Sequence, residues 1–159
     1  MRLEDLQRDL AAALAGRETA PAGVNPDALE RTRGSLISKR RNAAAHLLPR
    51  TRAALGATWA DRFRHHATQY TPDGLLHHID DAWELAETLE QSPDRTLAQA
   101  AHDDLTHLRL RYTRDRHARA DRIRERRAPL VALVRTPSPT LIVRGPGAPG
   151  KVWMVRWPG

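Results

Sequence analysis

Cysteine is absent from the 159 residues, which excludes disulfides, thiolate metal sites and thiol nucleophiles and fits a reducing compartment. No apolar run approaches the roughly 20 residues that cross a bilayer. The first stretch, MRLEDLQRDLAAALAG, carries charge throughout instead of the uninterrupted apolar centre of a signal peptide. A cytoplasmic protein without membrane contact is expected. The signatures of common catalysts are missing too: no serine sits in a Gly-x-Ser-x-Gly elbow, and no glycine-rich loop joins a strand to a helix as a phosphate cradle requires. GPGAPG is glycine-rich, but its two prolines remove backbone donors, so it reads as a hairpin loop. No catalytic residue is expected.

Lysine is nearly absent as well. Only Lys39 and Lys151 contribute to the 26 basic residues, and the rest are arginine. The net charge of +7 is unevenly spread: residues 1–107 hold 13 basic and 16 acidic side chains, a net of −3, whereas residues 108–159 hold 13 and 3, a net of +10. An acidic body is joined to a basic module, with the division placed between 107 and 108. The length suffices for one domain, or a domain with a small module, burying roughly two thirds of its surface.

Periodicity makes the body helical. Leu3, Leu6, Leu10 and Leu14 recur at spacings of three and four and stop before Gly16. Asn25 and Pro26 supply a cap and first turn for a helix striped by Leu29, Leu36, Ile37, Ala44 and Leu47, and a short helix follows to Gly56. Thr58, then Thr71 with Pro72, then Ser92 with Pro93 are expected to open the next three helices, carrying Trp59 and Phe63, then Leu75, Ile79, Trp83, Ala86 and Leu89, then Leu97, Ala101 and Leu105.

Near residue 107 the period changes. LRLRYTR, residues 108–113 with Arg114, alternates in the manner of a strand, although Leu105, Leu108 and Tyr112 also suit a continuing helix; the strand is favoured. An arginine-rich connector precedes LVALVRT, TLIVRG and KVWMVRW, which are separated by PSP and GPGAPG and predict an antiparallel meander. The fold class is therefore α+β, an all-helical domain followed by a small antiparallel sheet of three or four strands. In the last strand Val152 and Met154 face one way and Trp153, Val155 and Trp157 the other, so both faces are apolar. Such a strand either packs within the protein or offers an open edge to an extended peptide.

Histidine beside acid invites a metal reading: His65 and His66, His77 and His78 with Asp80 and Asp81, His102 with Asp103 and Asp104. Only His77 and Asp81 have the i, i+4 spacing that puts two ligands on one helix face, so these groups read as the solvated side of helices and no metal site is expected. The run from Arg109 to Arg127 sets nine arginines against three acids. It suits phosphate, with Tyr112, Trp153 or Trp157 stacking on bases, but equally an acidic peptide or protein surface, or a solvated connector.

The segment LISKRRNAAAHLLPRTRAALGATWADRFRHHATQYTPDGLLHHIDDAWELAETL resembles a bacterial family labelled as a DNA-binding domain. Arg33 or Arg40, Leu48-Pro49, Leu55-Gly56, Trp59 with Phe63, and Asp80-Asp81 occupy its pattern, and RERRAPLVALVRTPSPTLIVRGPG is similar to the end module of an actinobacterial branch. Several members of the wider family look like partner proteins of multinuclear non-heme iron-dependent oxidative enzymes that modify ribosomally made precursor peptides, as in the methanobactin pathway. The resemblance implies a non-catalytic adaptor without a cofactor of its own, the iron lying in a partner enzyme with which it forms a heterodimer. It implies enzyme contact through Arg33, Arg40, Arg41, Trp59 and Arg62 of the helical domain. Capture of the precursor's leader is expected at Leu141, Val143, Arg144, Lys151, Val152, Trp153, Met154, Val155, Arg156 and Trp157. The alternative is a small DNA-binding or regulatory module that uses the 109–127 arginines.

Overall fold

The computed structural model describes residues 2–15, 18–72, 76–115, 123–126, 130–134, 140–144 and 153–156. Within them lie six α-helices followed by five short strands: α1 (Leu3–Leu14), α2 (Pro26–Leu47), α3 (Pro49–Leu55), α4 (Trp59–Gln69), α5 (His77–Glu90), α6 (Arg95–Arg111), β1 (Tyr112–Arg114), β2 (Ile123–Glu125), β3 (Leu130–Val134), β4 (Thr140–Arg144) and β5 (Trp153–Arg156). The α+β class holds.

Local chemistry explains most of the boundaries. Asn25 Oδ1 accepts from the backbone N–H of Asp27 and Ala28, and Pro26 fills the first helical position, so α2 starts where its cap and proline dictate. Pro49 opens α3 in the same way without a side-chain cap on its own strand of sequence. Gly56 has φ +53° and ψ −123°, a conformation that a residue with a Cβ rarely adopts, and it breaks α3 from the 3-10 turn Gly56–Thr58 that leads into α4.

Three expected caps are corrected. Thr58 is itself helical, and its Oγ1 donates to the Leu55 carbonyl instead of accepting from α4. Thr71 and Pro72 stop short of α5, whose cap position is Leu76 with no side-chain hydrogen bond. Residues 73–75, including Leu75, lie outside the described residues. Asp94, not Ser92, caps α6, its Oδ1 accepting from Thr96 and Leu97, while Ser92 Oγ accepts from the Asp94 N–H. A side-chain oxygen caps only where the backbone has left the helical region, and Thr58, with φ −80° and ψ −6°, has not.

The favoured strand at 108–113 is also corrected. Helix α6 continues through Arg111, and only Tyr112–Arg114 is extended. Leu105, Leu108 and Tyr112 are all buried, so the three- and four-residue stripe outweighs the two-residue alternation of LRLR. The expected division after residue 107 therefore falls within a helix. Strands β1 and β2 form an antiparallel hairpin, Thr113 opposite Arg124, and place Tyr112 and Ile123 in the same apolar cluster as Phe63, Ile79, Trp83, Leu89, Leu97 and Leu105. Helix α1 contributes only Ala13 to the buried set and leaves Leu3 exposed.

The last three strands form the expected antiparallel meander, in the order β3-β4-β5. Val131 stands opposite Val143, Leu133 opposite Leu141, and Leu141 in turn opposite Val155. Strand β4 is central, so β3 and β5 each have one edge that pairs with no strand among the described residues. No helix among them is long and apolar enough to cross a membrane.

Candidate functional site

Two charged clusters lie inside the helical domain where solvated faces were expected. Helix α5 brings Asp80 and Asp81 inward at its first turn, both fully buried. Arg40, midway along α2, reaches across to Asp81, with Nε 2.8 Å from Oδ2 and Nη2 2.6 Å from Oδ1, and the same Nη2 donates to the Tyr70 carbonyl at 2.8 Å. His66 Nε2 approaches Asp81 Oδ1 to 3.4 Å without an aligned hydrogen bond. Burial works to raise the Asp81 carboxyl, but the Arg40 hydrogen bonds and the nearby His66 outweigh it and hold Asp81 below the usual aspartate range.

Arg114 completes the cluster from β1. Its side chain is 5% exposed, with Nε 3.0 Å from Asp80 Oδ1, Nη2 2.5 Å from Glu84 Oε2 and Nη1 3.0 Å from Glu87 Oε2. The Tyr70 hydroxyl donates to Asp80 Oδ2 at 2.5 Å and accepts from Arg114 Nη2 at 3.2 Å. Burial and the Asp80 carboxylate push the Tyr70 phenol well above its ordinary value. Burial alone would lower the Arg114 guanidinium, but its carboxylate partners, Glu84 first, raise it further. One arginine thus bolts the β1–β2 hairpin to three carboxylates of α5, and Trp83 Nε1 donates to the same Glu87 at 3.0 Å.

The second cluster joins α3 to α6. Asp104 Oδ2 accepts from the Thr51 backbone N–H at 2.8 Å and from Thr51 Oγ1 at 2.9 Å, so a side chain from α6 caps the N-terminus of α3. Arg50 Nη1 lies 3.7 Å from Asp104 Oδ1. Burial raises the Asp104 carboxyl, and the Thr51 and Arg50 contacts recover only part of that cost.

These clusters correct the reading of the His and Asp groups as a solvated helix face: His66, Asp80, Asp81, Asp103 and Asp104 are all buried. The sequence carried a signal. Asp81, Leu85 and Leu89 share one face of α5, and Asp104 lies three or four residues from both Ala101 and Leu108, so each acid stands within an apolar stripe. His77 is exposed while Asp81 is held by Arg40, so the i, i+4 pair does not converge. Among the described residues no group of three His, Cys, Asp or Glu side chains is placed to hold a metal ion. His78, partly buried and beside His77, is shifted below the ordinary imidazole value, chiefly by burial.

The residues expected to touch a partner enzyme scatter by role. Arg40 is committed to Asp81, and Trp59 is a core residue at 7% exposure, its ring 5.8 Å from Phe63. Arg33 bridges Glu30 and the Ala13 carbonyl, fastening α1 to α2. Arg41 is half-buried against Ser38, and Arg62 is exposed on α4. Of the peptide-capture residues, Trp153, Met154, Val155 and Arg156 form β5, and Leu141, Val143 and Arg144 lie on the central strand β4; Lys151, Val152 and Trp157 lie outside the described residues. The arginine run divides. Arg109 approaches Glu87 and Glu90 at 3.8 Å, Arg111 stacks 5.6 Å over the Tyr112 ring, Arg114 is buried and Arg126 Nε donates to the Tyr112 carbonyl, whereas Arg124 is exposed. Sequence reading missed Arg114, because nothing in a run of nine arginines marks the one that is buried.

A family model described as "SCO6045-like, C-terminal domain" matches residues 4–91, which span α1 to α5 and the Arg40–Asp81 pair. No curated protein and no solved structure matches the chain.

Proposed function

The chain belongs to the SCO6045-like family through its helical domain, and we propose that it is a non-catalytic adaptor which captures a ribosomally made precursor peptide and presents it to an iron-dependent oxidative enzyme. The observation that carries this reading is the meander β3-β4-β5, whose two outer strands each keep an unpaired edge among the described residues. An unpaired edge is a template for another strand, and proteins that do not use one usually cover, shorten or charge it. The helical domain supplies the rigid partner: its buried cluster includes residues from Ala44 to Ile123, one ion cluster fixes α2 and the hairpin to α5, and the other fixes α3 to α6. Contact with the enzyme falls to side chains that the core leaves free, Arg62 foremost among those named from the sequence.

The nucleic-acid alternative draws less support, since Arg109, Arg111, Arg114 and Arg126 are engaged within the protein. Phosphate neutralisation needs charges that are free to exchange counterions.

Affinity purification of the tagged chain from its native host tests the reading, with mass spectrometry and metal analysis of what accompanies it. The expected result is an iron-containing protein together with a short peptide. Recovery of nucleic acid, or of the chain alone, overturns it.

A further inference from the structure

The charge pattern of the three-stranded sheet says what kind of peptide its edge would select. From Arg126 to Gly159 there is no aspartate or glutamate, while Arg126, Arg127, Arg135, Arg144, Lys151 and Arg156 are all basic. The register places two of these charges. Arg144 ends β4 opposite Leu130, and Arg156 ends β5 opposite Thr140, at the other end of the same strand β4. Arg144 lies four positions after Thr140, about 13 Å at the rise of an extended chain. Between these ends the strands carry no charge: Val131 to Leu133, Leu141 to Val143 and Trp153 to Val155 are apolar throughout.

Directly paired residues share a face of an antiparallel sheet, and so do residues two apart along one strand. By that rule Arg144, Ile142, Thr140, Met154 and Arg156 belong to one face, and Val143, Leu141, Trp153 and Val155 to the other. The two arginines therefore stand on the same face at opposite ends, with apolar positions between them. Trp153 belongs to the face that carries neither. A single strand of nucleic acid, which needs stacking and phosphate neutralisation along one track, finds them on opposite sides.

We infer that the outer edge of β5 takes an acidic extended peptide, one whose carboxylates stand four residues apart, and so on one face, around an apolar centre. This rests on the reading of the sheet as a peptide-capture surface and adds what that surface selects. Main-chain pairing with β5 would supply affinity without regard to sequence, and Arg156 at one end with Arg144 at the other would set register.

The experiment uses the full chain and fluorescence anisotropy of labelled synthetic peptides built on Glu-Val-Thr-Val-Glu, against Lys-Val-Thr-Val-Lys, Glu-Glu-Val-Thr-Val and a single-stranded oligonucleotide of about 12 nucleotides. The spaced acidic peptide should bind about tenfold tighter than the lysine-ended one, the size expected for two charge pairs of modest strength changed from attractive to repulsive. The Arg144→Glu, Arg156→Glu double variant should reverse that preference, a gain that a misfolded protein could not show. Equal binding of the acidic and lysine-ended peptides overturns the selection of acids while leaving peptide capture standing. Tighter binding of the oligonucleotide than of any peptide overturns the choice of ligand class. Absence of binding by every peptide overturns this inference together with the capture reading on which it rests.

Discussion

Arg40 grips both carboxylate oxygens of Asp81, at 2.8 and 2.6 Å, across 41 residues of sequence. Asp81 is fully buried, so Arg40→Ala would leave an uncompensated charge in the core beside His66. A loss of about 3–5 kcal/mol in urea unfolding is expected, the usual cost of removing one partner of a buried pair. The double variant Arg40→Met, Asp81→Leu should recover most of it, because it leaves no orphan charge. A single variant as stable as wild type would show that Arg40 is free for a partner after all.

The two buried aspartates should respond to acid with opposite sign. Asp81 is held below the ordinary aspartate value of 3.8, so its contribution is present above that value in the unfolded chain and is lost as pH falls through its lower folded pKa. Asp104 is held above 3.8, so its contribution is full below that value and is lost as pH rises through its higher folded pKa. The stability gap between wild type and Asp81→Asn should therefore narrow in acid, and that between wild type and Asp104→Asn should widen. Parallel pH profiles of chemical denaturation read both slopes, and equal slopes would contradict the assignment.

Arg114→Ala should release the β1–β2 hairpin from α5 by removing the one guanidinium that Asp80, Glu84 and Glu87 share. Amide exchange in residues 112–114 and 123–126 is expected to quicken, while the helices keep much of their protection. Arg114→Lys should rescue only part of this, since a single ammonium cannot span three carboxylates as a forked guanidinium does. Unchanged exchange in the hairpin would mean that Tyr112 and Ile123 alone hold it.

The helices and the meander were legible because each rests on local signals: the leucine spacing of α1, the Asn25-Pro26 start of α2, and the PSP and GPGAPG breaks between apolar runs. Helix α6 was misread at its end because leucine at every second position satisfies a strand and, with Leu105 and Tyr112, a helix equally, and only packing on the core decides. The buried ion clusters were hidden for a different reason. Arg40 and Asp81, Thr51 and Asp104, and Arg114 and Asp80 are long-range pairs, and sequence patterning reports which face a residue occupies but not who stands opposite. Arginines suited to a partner enzyme proved, in Arg33 and Arg40, to hold the protein's own elements together.

If the edge of β5 captures the precursor, deletion of Lys151 to Gly159 should separate two activities. Peptide binding should be lost, because β5 disappears. The helical core should remain, because every residue of its buried cluster lies between Ala44 and Ile123, and the clamps of Arg40 and Arg114 lie upstream of the cut. Binding of the enzyme partner should persist with it. Point changes refine the assignment: Val155→Pro removes a backbone donor opposite Leu141 and should weaken capture whether that N–H pairs with β4 or with the peptide, whereas Arg156→Glu keeps the backbone and alters only attraction to acids. Hydrogen exchange with and without peptide provides the decisive measurement. New protection is expected in residues 153–156; protection confined to helices α1 to α6 would place the peptide on the helices and remove β5 from the mechanism.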